Sequence, residues 1–198
     1  MIITFKLDEN FKDSLMAVFN PSIQTKNYLK KGDFTVYFDD KNNVNSVLVN
    51  NYNNYFKDIK RNYQSLNNSD KQVLLEVIKN NFSDLIFNDT NKFIYGKIIK
   101  RAPHPKSDKL FVIDLLTNKD TNTSVQLVTN TLDSLEGRVV VFSQINSITA
   151  SSLVVLDGEV MSVKSPGMLV GYNSMGYPEK DGLIFGDDSQ IGQEFKFV

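Results

Sequence analysis

Hydrophobic and polar residues alternate in short runs along most of the chain, a pattern that predicts strands rather than helices. The clearest case is a hairpin in which residues 34–38 (FTVYF) and 44–49 (VNSVLV) flank a polar loop, 39–43. Residues 2–7 and 15–19 have the composition of two further short strands. The first part of the chain is therefore predicted to be at least partly a β-meander.

One helix is predicted in the same region. Residues 69–72 (SDKQ) have the sequence of a capping box, with Ser69 as the N-cap. Apolar residues then recur at helical spacing and share one face: Val73, Leu74, Val77, Ile78 and Phe82. Sheet and helix together predict an α+β N-terminal domain over residues 1–88, whose role the sequence does not indicate.

Residues 50–68 (NNYNNYFKDIKRNYQSLNN) are rich in asparagine and aromatic residues and allow more than one interpretation. Near-helical spacing of Phe56, Ile59, Tyr63 and Leu66 favours a short helix or a packed loop. Tyrosines interleaved with basic residues also resemble an RNA-stacking surface. Burial of the aromatic rings beneath a loop is preferred, because no period-two alternation displays them on a strand.

The polar residues 88–91 (NDTN) break the apolar pattern and predict a linker. Short strands and turns follow over residues 93–198, about every ten residues: 93–101, 109–116, 123–130, 138–142, 153–156, 159–163 and 182–185. About five strands in roughly 75 residues without a long helix predict an all-β OB-fold, a five-stranded barrel.

The amino-acid composition excludes several kinds of catalytic and metal-binding site. The 198 residues include no cysteine and one histidine, which excludes disulfides, thiolate chemistry and a His/Cys zinc site. No nucleotide-binding, EF-hand, nucleophile-elbow or metalloprotease motif occurs. The sequence therefore predicts no cofactor, no metal site, no catalytic residue and no enzyme activity; a hydrolase using His104 is the weakest alternative.

The N-terminus turns polar after seven residues, which is too short for a signal sequence or a membrane span. The expectation is a soluble cytoplasmic protein without a membrane partner.

Positive charge is concentrated in one segment, although the net charge is −1. Residues 92–109 hold six basic side chains and one acidic one, whereas residues 110–198 hold five basic and eleven acidic ones. Strand alternation predicts Lys97, Ile99 and Arg101 on one side and Lys100 on the other. Four to six phosphate contacts from this segment would give salt-sensitive binding to nucleic acid; the alternative is a solvated basic edge.

His104 lies in the same segment, between Pro103 and Pro105, so its backbone is restricted on both sides. Such a corner suits a contact with a phosphate or a base. The alternative is a structural histidine bonded to Asp108 or to the backbone.

Five sequence blocks stand out in residues 93–198: YGKI (95–98), HPKSDKLFV (104–112), QLVTN (126–130), GRVVV (137–141) and SPGML (165–169). In order and spacing they resemble the tRNA-binding OB domain of the phenylalanyl-tRNA synthetase β chain, the methionyl-tRNA synthetase C-terminus and the endothelial-monocyte-activating cytokine. The layout, with about 90 residues before this domain, resembles the stand-alone YtpR-type proteins of low-GC Gram-positive bacteria.

The resemblance implies a non-catalytic protein that binds tRNA or similarly structured RNA by shape and phosphate contact. Ser165 is expected to cap a helical turn whose free amides could hold a phosphate. Leu169 is expected in the core, and Met168 either against a base or filling the barrel mouth. The implied RNA-binding residues are Lys97, Lys100, Arg101, His104, Lys106, Lys109, Asn130, Ser165 and Met168.

The chain departs from the family pattern at two places. It has Thr129-Asn130-Thr131 where relatives usually have Cys-Gly-Ala, and Met161-Ser162 where they often have Arg-Gly. The second change removes a phosphate contact. With the acidic balance after residue 110, it favours the alternative function, a protein-interaction module whose OB-fold has lost RNA binding. A protein partner in translation is expected in either case, and the oligomeric state stays open.

Overall fold

The computed structural model describes residues 1–90 and 92–197, which form two compact units. The first comprises Met1–Thr90 with Phe197, and the second comprises residues 92–196. Strands predominate in both, and the described residues contain one α-helix. In the part of the chain described, no helix has the length and apolar character needed to cross a membrane.

A six-stranded antiparallel sheet forms the first unit, in the order β3-β4-β5-β2-β1-β6. Its strands are β1 (Ile3–Lys6), β2 (Ser14–Val18), β3 (Asn27–Lys31), β4 (Phe34–Phe38), β5 (Val44–Asn50) and β6 (Tyr63–Ser65). The predicted hairpin is confirmed as β4–β5. Its loop is fixed by the Asp39 carboxylate, which accepts from the amides of Lys41 and Asn43, both at 2.8 Å.

Strand β3 has no counterpart in the predicted pattern. It lies at the sheet edge and pairs only with β4, and all five of its residues are exposed. A strand without a buried face shows no alternation of hydrophobic and polar residues, so the sequence carries no signal for it.

The predicted helix is confirmed as α1 (Asn68–Asn81), but the predicted N-cap is wrong. Asn67 is the N-cap, and its side-chain oxygen accepts from the amide of Asp70 at 2.8 Å. Ser69 lies in the first turn instead. The buried Asp70 carboxylate accepts from the amides of Lys57 and Asp58, both at 3.2 Å. These contacts with the preceding loop favour the earlier helix start.

Replacing the true cap should destabilise the first unit more than replacing the predicted one. Asn67→Ala leaves the Asp70 amide without its acceptor, and we expect a loss of about 1 kcal/mol in the free energy of unfolding. Ser69→Ala alters an exposed helical residue and should change it by less than about 0.3 kcal/mol. Urea unfolding followed by circular dichroism measures both; equal losses would contradict the assignment of Asn67.

The aromatic residues of segment 50–68 include several that are buried in the first unit. Residues Tyr52–Asn54 form a 3₁₀ turn, and Tyr63 opens strand β6. Tyr52, Phe56 and Tyr63 are buried, and this desolvation raises the pKa of Tyr63 well above its usual value. The predicted burial is confirmed for these rings, which are not available to stack on RNA bases, but Tyr63 lies on a strand and not beneath a loop.

The second unit is built on a sheet with the strand order β15-β10-β7-β8-β9, and β16 also pairs with β10. Its long strands are β7 (Phe93–His104), β8 (Ser107–Asn118), β9 (Thr123–Thr129) and β10 (Val139–Gln144). Its short strands are β11 (Ser147–Ile148), β12 (Val154–Val155), β13 (Glu159–Val160), β14 (Val163–Lys164), β15 (Gly167–Leu169) and β16 (Phe185–Gly186).

This sheet curls into a half-barrel around an apolar core. The end strands of this sheet are β15 and β9. They are linked by Ser165, two residues before β15, whose hydroxyl accepts from the amide of Val128 in β9 at 3.0 Å. The same hydroxyl donates to the Gly167 carbonyl at 3.1 Å. The enclosed residues include Ile98, Ile113, Leu115, Leu127, Val140 and Phe142.

Two predicted elements in this unit are wrong. The strand expected at 159–163 is the hairpin β13–β14, because the chain reverses at Met161 and Ser162. The helical turn expected after Ser165 is strand β15, so Ser165 caps no helix and no helix N-terminus offers amides to a phosphate there. Leu169 is buried, as predicted.

Candidate nucleic-acid interface

A bulge in β7 decides which basic side chains share a face. Ile98 pairs with Leu115 and Lys100 with Asp114, so Ile99 is the extra residue. The side chain of Arg101, opposite the buried Ile113, therefore lies on the core side of the sheet, while Lys97 and Lys100 lie on the other side. The predicted placement of Lys97 and Arg101 on one side is wrong, because strict alternation ignores the bulge.

Two contacts position Arg101, and neither pairs its guanidinium with a carboxylate. The guanidinium carbon lies 3.5 Å from the centre of the Phe111 ring, and the Glu136 carboxylate accepts from the Arg101 amide at 2.7 Å. Its Nε is buried and has no hydrogen-bond partner among residues 1–90 and 92–197. A stacked guanidinium keeps its planar donor edge free for a phosphate.

Lys97 is engaged elsewhere. Its Nζ lies 2.8 and 3.0 Å from the two carboxylate oxygens of Asp188. Asp188 follows Asp187, whose pKa is lowered by hydrogen bonds from Ser189. Lys97 also lies seven residues before the β7–β8 turn, roughly 20 Å along the strand. The structure therefore does not bring Lys97 together with His104, and its charge is compensated.

His104 is buried, with 4% exposure, and bonds through both ring nitrogens. The amide of Lys106 donates to Nδ1 at 3.1 Å, so in the neutral ring Nε2 carries the proton and donates to the Val160 carbonyl at 3.2 Å. These backbone partners match the structural alternative, not a bond to Asp108. Neither nitrogen is left for a substrate or a phosphate in this arrangement.

The other three lysines of the predicted cluster are exposed. Lys106 Nζ donates to the Ser162 hydroxyl at 2.9 Å, a neutral partner that leaves its charge uncompensated. Lys100 lies opposite Asp114 across the β7–β8 pair, and Lys109 lies near the start of β8. Among the described residues neither of these two ammonium groups forms an ion pair.

The remaining predicted RNA-binding residues differ in their exposure and in whether their side chains already form hydrogen bonds. Asn130 is exposed at the end of β9, with no side-chain hydrogen bond to a described residue. Ser165 is buried and joins β9 to β15, as described above. Met168 is half-buried and lies opposite Ser143 of β10. Only Asn130 offers a free polar group to a ligand.

Several proteins are similar to this chain, although no family model matches it. YtpR of Bacillus subtilis, provisionally described as a tRNA-binding protein, is 28% identical over 117 residues, which are 57% of each chain. The phenylalanine–tRNA ligase β subunits of Clostridium tetani and Clostridium acetobutylicum are 30% and 26% identical over 108 and 109 residues. Those matches cover 53% of this chain and 13% and 14% of the ligase subunits.

The resemblance to the tRNA-binding domain family is confirmed. The chain spans little more than half the length of YtpR and a small part of the ligase subunits.

The two departures from the tRNA-binding domain family are accommodated locally. Thr129, which stands where relatives usually have cysteine, accepts from the Thr131 amide at 3.1 Å and packs at the end of β9. Met161 and Ser162, in place of Arg-Gly, both adopt positive φ angles, 49° and 68°. Strand pairing is kept at both places, but the second departure puts a methionine at an exposed turn.

Sequence reasoning missed four residues that shape the interface: Phe111, Glu136, Val160 and Ser162. Phe111 and Glu136 act on Arg101 from positions ten and thirty-five residues away, and no local motif links them. Val160 and Ser162 contact the β7–β8 turn from a hairpin that contains no glycine or asparagine, the usual signals of a two-residue turn.

Proposed function

We propose that the protein binds tRNA or similarly structured RNA through an OB-fold domain at residues 93–198 and performs no chemistry on it. The observation that carries the proposal is a group of four cations, called here the free basic group: Lys100, Arg101, Lys106 and Lys109. None of the four pairs with a carboxylate among the described residues. The relative described as a tRNA-binding protein, YtpR of Bacillus subtilis, supports the same ligand.

The free basic group suits recognition of the RNA backbone. Its members are exposed lysines and a stacked arginine on β7, β8 and the turn between them, with Arg101 on the core side of the sheet and Lys100 on the other side, so what they offer a ligand is charge rather than base-specific contacts. Backbone and shape recognition is typical of proteins that bind folded RNA. Asn130 is the candidate polar contact beside them. The proposed ligand implies a cytoplasmic location and a protein partner in translation.

Salt dependence of tRNA binding tests this proposal. With four unpaired cations, the logarithm of the association constant should fall with the logarithm of salt concentration with a slope of about −3, rather than the roughly −5 expected if all six basic residues of 92–109 contacted phosphate. Fluorescence anisotropy of labelled, unfractionated tRNA from 50 to 300 mM KCl measures the slope. A slope near zero, or no binding at 50 mM, would contradict the proposal.

Asp188→Asn provides a matched check on Lys97. Loss of the carboxylate frees Lys97 Nζ. If Lys97 lies within reach of the RNA, the slope should become steeper by about one contact; an unchanged slope would remove Lys97 from the interface while leaving the proposal intact.

The second candidate is a protein-interaction module without RNA binding. It is favoured by large exposed apolar side chains in the second unit, among them Leu132, which is 75% exposed, and Leu156. Absence of tRNA binding at low salt, together with recovery of a specific protein in a pull-down that Leu132→Asp abolishes, would support this candidate instead.

A further inference from the structure

The tip of the β13–β14 hairpin holds two consecutive non-glycine residues in left-handed backbone conformations. Val160 pairs with Val163, so Met161 and Ser162 form a two-residue loop, and both have positive φ. This is the pattern of a type I′ turn, for which Asn-Gly is the preferred sequence. Methionine lacks the short polar side chain that makes the left-handed region tolerable for asparagine. The turn is therefore strained at Met161.

Contacts from the β7–β8 turn and from β9 hold the strained turn. His104 Nε2 donates to the Val160 carbonyl, and Lys106 Nζ donates to the Ser162 hydroxyl, both from the β7–β8 turn. Gln126 of β9 donates through Nε2 to the Lys164 carbonyl at 2.9 Å. These bonds fix the backbone on both sides of Met161, yet none involves the Met161 side chain.

Met161 is itself 50% exposed. Ser162, the next residue in the chain, accepts a hydrogen bond from Lys106, a member of the free basic group. Strained backbone conformations persist where surrounding structure enforces them, and they cluster at ligand-binding positions. An unbranched thioether packs favourably against aromatic faces, and methionine is among the apolar side chains that wedge against bases.

We propose that Met161 is a base-contacting residue, presented by the strained hairpin to an unstacked base of the RNA whose backbone the free basic group binds. His104 is then a positioning residue: it acts on the RNA through the Val160 carbonyl and not by direct contact. This inference rests on the proposed RNA binding and adds to it one apolar contact and the type of RNA site, a loop or end with an unstacked base.

Met161→Asn separates contact from turn geometry. Asparagine suits the left-handed backbone better, so the midpoint of thermal unfolding should stay the same or rise by about 1–3 °C. Affinity for unfractionated tRNA should nevertheless fall about three- to tenfold, because the apolar contact is lost. Met161→Leu keeps an apolar side chain of similar volume that is not branched at Cβ, and it should retain affinity within about twofold.

Leu153→Asn is the matched control, since Leu153 is also apolar, is 53% exposed, and has its described hydrogen bonds with Thr149 and not with the free basic group. It should leave tRNA affinity within about twofold. If Met161→Asn also leaves affinity unchanged while wild-type protein binds tRNA with the expected salt slope, the inference is wrong and the proposed function stands. If wild-type protein does not bind tRNA at 50 mM KCl, both are wrong.

Discussion

Changing Lys100 and Lys109 together to glutamate is expected to lower the affinity for tRNA about 100-fold at 50 mM KCl. Both ammonium groups are exposed and, in the described structure, unpaired. Each substitution removes one phosphate contact and adds a repelling charge, so roughly 1.4 kcal/mol is lost at each site. The salt slope should also become shallower by about two contacts. Anisotropy titrations with labelled tRNA measure both quantities.

Strand β3 supplies a control with the same change in net charge. Lys30 and Lys31 are exposed at the edge of the first unit's sheet, and changing both to glutamate also alters the net charge by −4. If only the local arrangement of the free basic group matters, this control should reduce affinity less than threefold in titrations at the same salt concentration. Equal losses in the two variants would show that net charge, and not this site, governs binding.

Short-range patterns in the sequence were sufficient to predict most strands of this chain. Alternation places β4, β5, β7, β8, β9 and β10 within a few residues of their observed ends. The predictions are wrong or incomplete where contacts with other parts of the chain decide the structure. Strand β3 has no buried face, the helix start is set by contacts of Asp70 with the preceding loop, and β15 exists because it pairs with β10.

In the candidate site, too, local sequence patterns predict some features, while contacts between distant residues decide the others. Local charge counting located the basic segment, but it could not show that Lys97 pairs with Asp188, ninety-one residues later. Strict alternation placed Arg101 on the wrong face because a bulge leaves no clear mark in the sequence. The restrictive prolines around His104 indicated a fixed corner. The partners of the imidazole, Val160 and the Lys106 amide, required the fold.

Gly167→Ala is expected to destabilise the second unit by roughly 3 kcal/mol, a large loss for one methyl group. Gly167 has a φ of 154°, a region that residues with a side chain rarely adopt. A Cβ there would lie 2.6 Å from the Ser143 carbonyl oxygen and 3.2 Å from Leu127 Cδ2. The first of these atoms belongs to the backbone of β10, so strand β15 itself would have to move away.

Displacing β15 would also weaken the link to β9, because the Ser165 hydroxyl donates to the Gly167 carbonyl while it accepts from Val128. The glycine of the SPGML block is thus explained by close packing of two strands. The measurement is urea unfolding followed by circular dichroism, with Gly158→Ala as the control: no atom lies within 4 Å of a Cβ at Gly158, and a change below about 0.5 kcal/mol is expected. A loss below about 1 kcal/mol for Gly167→Ala would mean that β15 can shift without cost. The packing of β15 against β10 would then not be what requires glycine at this position.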